Sequence, residues 1–177
     1  TEGTYPLPEA QVDRFMMKVL VDYPTDEEEF VIVQRVTGPA VSANPVATTA
    51  QLARLQGICR KVYVDPSLIQ YAVKLVSATR TPEKHGLKEL GRFITYGASP
   101  RATINLTEAA RALAMLRGRT YVLPQDMSDL VPDVFRHRIV LSYEALAEGL
   151  SADAIVGKIM ARIAAPPKPL EHEALAA

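Results

Sequence analysis

One six-residue run, Met16-Met17-Lys18-Val19-Leu20-Val21, is nearly continuous in apolar residues and bounded by Asp22-Tyr23-Pro24. That is the pattern of a buried strand in a parallel sheet. Nothing else in the 177 residues offers a comparable strand. A lone strand leaves its backbone groups unpaired along both edges, so its partner strands are expected before residue 1. The rest of the chain must then form a mainly helical body. The start at Thr1, without an initiator methionine, fits the same expectation of a piece of a larger protein.

Upstream of that run, Pro8 and Glu9 suit the first turn of a short helix reaching about Arg14-Phe15. Downstream the period is helical. Thr25-Asp26-Glu27-Glu28 is a capping box ahead of Phe30, Ile32, Val33 and Val36, and Gly38-Pro39 ends that helix. Thr48 or Thr49 caps a second, with Leu52, Leu55, Ile58 and Cys59 on one side. After a short extended link at Val62-Tyr63-Val64, Asp65 and Pro66 start a third helix, with Leu68, Ile69, Ala72, Val73, Leu75 and Val76 at three- and four-residue spacing. Residues 81–88 read as loop and 93–96 as an extended approach to a turn. The longest clean helical pattern follows at about 100–116, with Ile104, Leu106, Ala109, Ala110, Leu113 and Leu116 expected inward. Arg117-Gly118-Arg119 closes it. Pro124 begins another helix, which Pro132 either kinks or splits. Ile139-Val140-Leu141 is a short apolar run, and Ser151-Ala152-Asp153 opens a last helix carrying Ile155, Ile159, Met160 and Ile163. From Ala165 on, with Pro166-Pro167-Lys168-Pro169, the composition is that of a disordered tail.

Charge narrows the function. Lys+Arg and Asp+Glu balance at 20 each, which argues against nonspecific binding to nucleic acid or an anionic membrane. No apolar run reaches the ~20 residues of a membrane span, and no signal peptide is expected. A single cysteine, Cys59, excludes an internal disulfide and fits a reducing, cytoplasmic setting; on its apolar helix face it reads as a buried structural thiol. His85, His137 and His172 share no ligand spacing with one another or with Cys59, so no metal site is expected. Gly86-Leu87-Lys88-Glu89-Leu90-Gly91-Arg92-Phe93 has the two glycines of a phosphate loop but not its Lys-Ser/Thr, and no buried strand precedes it. It is a coincidence of spacing.

Two arginines stand out. Tyr96-Gly97-Ala98-Ser99-Pro100-Arg101-Ala102-Thr103 opens the longest helix: Gly97 reads as a flexible joint, Ser99 as N-cap, Pro100 as first helical residue. Arg101 then lies beside the free N–H groups of a helix N-terminus, where it could hold a phosphate or carboxylate through forked hydrogen bonds. The plainer alternative is a surface arginine pairing with a nearby acid. Arg14, in Glu9-Ala10-Gln11-Val12-Asp13-Arg14-Phe15, is a plain surface residue, a local partner of Asp13, or a side chain displayed across a subunit boundary; the pattern does not choose. Arg136, His137 and Arg138 read as a solvated basic face.

Four segments in this order resemble the C-terminal portion of MoxR-family AAA+ ATPases: Glu2 to Phe15; Gly97-Ala98-Ser99-Pro100-Arg101-Ala102; Tyr121-Val122-Leu123-Pro124-Gln125-Asp126; and Arg136-His137-Arg138-Ile139 with Leu141-Ser142-Tyr143-Glu144. Departures are mild: Val12 stands where leucine is more usual, and Met16-Met17 follow Asp-Arg-Phe. The resemblance covers about residues 1–163. It implies an AAA+ helical lid bundle (25–163), a short N-terminal remnant of the α/β core with its last helix and strand (1–24), and a tail (164–177). The Walker A lysine, the Walker B carboxylates and the sensor-1 asparagine would precede Thr1. It further implies that Arg14 occupies the arginine-finger position, acting in trans, and Arg101 the sensor-2 position on the ATP phosphates. The implied parent binds ATP and Mg²⁺, forms a homo-oligomeric ring, expected to be a hexamer, and remodels or assembles other proteins, von Willebrand factor A-domain partners among them. This chain alone is expected to bind nucleotide weakly at most and not to hydrolyse it.

Two other readings compete. A free-standing helical interaction module with peptide-binding grooves would pair residues 16–21 within the chain. A helix-turn-helix DNA binder is opposed by the zero net charge and the lack of a basic stripe on any one helix.

Overall fold

The computed structural model describes residues 7–167, and the structural statements below concern those residues. In chain order they form α1 (Glu9–Val12), α2 (Asp26–Thr37), α3 (Thr49–Cys59) and α4 (Pro66–Arg80), then two 3-10 turns (Pro82–His85 and Lys88–Phe93). These are followed by β1 (Ile94–Tyr96), α5 (Pro100–Leu116), α6 (Pro124–Phe135), β2 (Val140–Leu141), α7 (Tyr143–Ala147) and α8 (Ala152–Arg162). Residues 1–6, with part of the first motif, and the expected tail from residue 168 lie outside the described residues.

Most helix starts follow their caps. The Thr25 hydroxyl accepts from the Glu28 N–H while the Glu28 carboxylate accepts from the Thr25 N–H, and Thr48 and Gln51 repeat the exchange on α3. Asp65 caps α4 ahead of Pro66, and Ser99 caps α5 ahead of Pro100. Pro132 lies inside one continuous helix rather than starting a second.

The expected strand at 16–21 is not a strand: residues 17–25 carry neither helix nor ladder. An apolar run becomes a strand only against a partner edge, and none faces it among the described residues. Val19, Leu20 and Val21 are exposed. The sheet that does form is small and lies elsewhere, β1 antiparallel to β2 with Ile94 opposite Leu141 and Tyr96 opposite Val140. The loop expected over 81–88 is largely 3-10, and α7 carries no helical signal long enough to be read from sequence.

The core begins at Val62 and is built by α4, α5, α6 and α8 with the two 3-10 turns. Leu68, Leu75, Val76, Leu90, Leu106, Met127, Val131, Val134, Phe135, Ile155 and Ile159 are fully buried in it. The buried stripe of α5 is Ala102, Leu106, Ala109, Ala110 and Ala114. Ile104 and Leu116, expected inward, are exposed. Alanines on that face let α5 approach α4 and α6 closely, so the stripe rotates toward the small residues. Between α5 and α6, Gly118 takes φ +74° and the flanking arginines fold back. Arg117 Nη1 reaches Asp126 Oδ1 at 2.8 Å, Arg119 Nη2 reaches Oδ1 at 2.5 Å and Nη1 reaches Oδ2 at 2.6 Å, and the Leu123 N–H donates to Oδ2 at 2.8 Å. Burial would raise the pKa of Asp126, but the bonds from Arg119, the Leu123 amide and Arg117 hold it below the usual carboxylate range.

Cys59 is half-buried rather than buried. It ends α3 at a groove of about 550 Å³ shared with Met16, Met17, Leu113, Leu116 and Leu130. No described helix is long and apolar enough to cross a membrane. No group of three or more His, Cys, Asp or Glu side chains is placed to hold a metal ion among the described residues.

Candidate functional site

The N-terminus of α5 is bolted to the end of α4. The buried Ala98 N–H donates to Thr79 Oγ1 at 2.8 Å, and Thr79 in turn bonds the Val76 carbonyl. Gly97 is not the flexible joint its sequence setting implied. A Cβ there would overlap the Thr79 carbonyl oxygen and sit 2.7 Å from the Arg80 nitrogen. Glycine serves close approach of two backbone segments.

Against this fixed helix start lies the turn that ends α1. Asp13 is the C-cap of α1 and its carboxylate reaches across to α5. Ser99 Oγ is 2.9 Å from each of its oxygens, and Arg101 Nη1 donates to Oδ2 at 3.0 Å. The Arg101 side chain is 52% exposed, so this pair lies at the surface. Of the two readings open for Arg101, the structure realises pairing with a nearby acid; the same geometry leaves its guanidinium open to solvent.

The larger surprise is the basic triplet after α6, which is not a solvated face. The Arg138 side chain is fully buried, its Nε 3.3 Å from Asp13 Oδ1. Its Nη2 donates to the carbonyls of Asp13, at 3.1 Å, and Phe15. Its Nη1 donates to the carbonyls of Met16, at 3.2 Å, and Val134. His137 Nε2 lies 3.2 Å from the Phe15 carbonyl, which requires the proton on Nε2. Arg136 Nη1 donates to the Lys18 carbonyl at 2.7 Å, while its Nε bonds Asp153 at 2.9 Å. The Lys18 N–H donates to the Asp133 carbonyl at 2.8 Å. Residues 13–18, which overlap the start of the run expected as a strand at 16–21, therefore form a strap whose carbonyls at Asp13, Phe15, Met16 and Lys18 accept from three consecutive side chains, with the Lys18 N–H bonded to the end of α6.

Electrostatics follow from this crowding. Burial would raise the Asp13 pKa, but hydrogen bonds from Arg101 and Ser99 and the charges of Arg138 and Arg101 hold it below the ordinary range. Burial pulls the Arg138 pKa down against the opposing Asp13 charge; a guanidinium stays protonated regardless. Burial also lowers the His137 pKa, outweighing the Phe15 carbonyl, so the ring is neutral near pH 7.

Arg14 is not on a helix. It occupies the turn after α1, its N–H bonded to the Gln11 carbonyl, and its side chain is exposed with no ion pair or hydrogen bond to a described residue. Its neighbour Asp13 is taken by Arg101, Ser99 and Arg138, so local Asp13–Arg14 pairing does not occur. The structure thus brings Arg14 and Arg101 to one turn, linked through Asp13. Sequence reading overlooked Asp13 and Arg138. Their partners lie some hundred residues away, and only the immediate adjacency of the triplet to an apolar run hinted at burial.

Comparison with known proteins agrees with this architecture. Residues 91–159 match the AAA lid domain. The chain is 44% identical over 165 residues to Chaperone MoxR1 of Mycobacterium tuberculosis, covering 93% of this chain and 44% of that protein. It is 34% identical over 185 residues to Protein MoxR of Paracoccus denitrificans, covering 93% of this chain and 52% of that one. A crystal structure of a candidate ATPase from Cytophaga hutchinsonii superposes with a TM-score of 0.90 at 40% identity, over 94% of this chain and 51% of that chain. The chain thus spans about half the length of the proteins it matches. On sequence and on fold together, it belongs to the MoxR-type AAA+ ATPase family and contains that family's lid domain.

Proposed function

We propose that this chain is the part of a MoxR-type ATPase that reads bound ATP and completes a neighbouring subunit's site, with ATP binding and hydrolysis driving chaperone-like remodelling or assembly of client proteins in the cytoplasm. The observation that carries the reading is the split on one turn: Asp13 is locked into the body, while the adjacent Arg14 points into solvent with no described partner. An arginine spared from local pairing on a rigid turn is suited to act outside its own subunit. Arg101, half-exposed at the start of α5, is suited to a phosphate of its own subunit's nucleotide.

The residues present fit only the phosphate end of ATP. Two guanidinium groups and a helix N-terminus offer donors for anionic oxygens, whereas the described residues hold no acidic cluster for Mg²⁺. Bound with Mg²⁺ in the ATPase core, the nucleotide would supply the terminal phosphoryl group for transfer to water. Arg101 would hold its phosphates, and its reach sets the angle of the helical body against that core. Arg14 would place positive charge on the terminal phosphate of the adjacent subunit, a contribution of about 10³–10⁵ in turnover where such fingers are known. Head-to-tail packing of this kind closes into a ring. Clients containing a von Willebrand factor A domain are the partner class we assign.

The test is ATP turnover by the ring ATPase carrying this chain. Arg14→Ala is expected to lower kcat by about 10³ with little change in KM. Arg101→Ala is expected to raise KM as well as lower kcat. Turnover unaffected by both substitutions would refute the proposal. A free-standing interaction module would have paired residues 16–21 in a ladder, and the single Lys18–Asp133 backbone bond does not favour it.

A further inference from the structure

The basic triplet and Asp13 have a geometry that neither packing nor nucleotide binding alone accounts for. A buried arginine commonly pairs with one carboxylate. Here Arg138 spends its donors mainly on backbone carbonyls of Asp13, Phe15 and Met16, the residues on both sides of Arg14. His137 adds a second bond at Phe15, and Arg136 secures Lys18. Every described anchor grips backbone or Asp13; none touches the Arg14 side chain. The strap's backbone is thereby held while the Arg14 side chain stays exposed with no partner among the described residues.

Asp13 supplies the second constraint. Its carboxylate is shared by Arg138 from the end of α6 and by Ser99 and Arg101 from the start of α5. The carbonyl grips on Asp13, Phe15, Met16 and Lys18 all come from the segment that ends α6. The Asp13 carboxylate adds an attachment to a different helix, α5.

We propose that Arg138 and Asp13 are positioning residues for Arg14. Arg138 fixes the backbone of the turn that displays it, and Asp13 ties that turn to the helix carrying Arg101, so the finger a subunit offers its neighbour is set by the body that contacts its own nucleotide. This inference rests on the reading of Arg14 as a finger acting in trans. Neither positioning residue meets ATP. Their effect is geometric, and a displacement of about 1 Å at a group of this kind can cost two orders of magnitude in rate.

The experiment compares ATP turnover in the ring ATPase carrying Arg138→Lys, Asp13→Asn, Arg14→Ala, and the double variants of each positioning change with Arg14→Ala. Lysine keeps the charge of Arg138 but cannot span four carbonyls, and asparagine keeps the shape of Asp13. Each is expected to lower kcat by about 10- to 100-fold, Arg138→Lys with KM within twofold of the parent. Neither is expected to lower turnover further once Arg14 is alanine. A structural weakening would instead act equally in both backgrounds. Amide hydrogen exchange checks the cause in the chain itself. The Lys18 amide is expected to exchange faster in both variants while the amides of Leu106 and Val131 keep their protection. If Arg14→Ala is damaging but Arg138→Lys and Asp13→Asn leave kcat intact, or add to the Arg14→Ala loss, this inference fails and the finger reading stands. If Arg14→Ala itself leaves turnover intact, both fall.

Discussion

Residues 7–61 and residues 62–163 obey the same helix-forming rules and differ completely in what they bury. α2 and α3 have complete capping boxes and apolar side chains at helical spacing, yet neither contains a buried residue. Phe30, Ile32, Val33, Val36, Leu52, Leu55 and Ile58 are all exposed. α4 and α5 use no stronger caps, yet they bury Leu68, Tyr71, Leu75 and Leu106 at or near full depth. Local propensity makes a helix; only packing makes it part of a core. Within the first region the strap at 13–18 contains no fully buried residue: Met17 packs against the core, and polar side chains hold the backbone.

This contrast can be broken or sharpened by substitution. The largest effect is expected at the centre of the core: Phe135→Ala should cost about 3–5 kcal/mol by chemical denaturation, because the cavity it leaves is lined on all sides. Asp126→Asn should cost about 2 kcal/mol, by leaving Arg119 and Arg117 without their shared carboxylate. The same variant should flatten the acid limb of the stability curve. The folded-state pKa values of Asp126 and Asp13 lie below the ordinary range, so their contribution is complete above about pH 4 and is lost as pH falls through the folded values. Gly97→Ala should cost about 1–3 kcal/mol, since the new methyl group meets the backbone of Thr79 and Arg80. His137 gives a smaller pH effect of the same sign. Its folded pKa is depressed, so its contribution is full above about pH 6.5 and declines as pH falls from there; His137→Gln should remove that step from a Tm-versus-pH series. Phe30→Ala should change the stability of the chain by no more than about 0.5 kcal/mol, whereas a loss comparable to Phe135→Ala would mean that α2 is packed after all.

Sequence was most informative where physics is local. The caps at Thr25, Thr48, Asp65 and Ser99 and the prolines at 66, 100 and 124 fixed helix starts to within a residue. It was least informative where a partner decides the outcome. The apolar run at 16–21 has strand composition but no neighbouring edge among the described residues, and Gly97 looked flexible because the approach of Thr79 is set by tertiary packing. The stripe on α5 was misplaced because large apolar residues drew attention away from the alanines that allow close approach. Arg14 and Arg101 were singled out by motif resemblance, and the structure leaves both at the surface. Asp13 and Arg138, which join them, were not legible, because the bonds that tie them to distant segments span 86 to 125 residues of chain.

The central claim is that Arg101 acts on the nucleotide of its own subunit and Arg14 on that of the next. Mixing Arg14→Ala subunits with Arg101→Ala subunits tests it most directly. A site on an Arg14→Ala subunit keeps its Arg101 and regains a finger whenever its neighbour is an Arg101→Ala subunit. Equal mixing should therefore restore turnover to roughly a quarter of the unmodified ring, far above either variant alone. A mixture no more active than the average of the two separate variants would contradict the account.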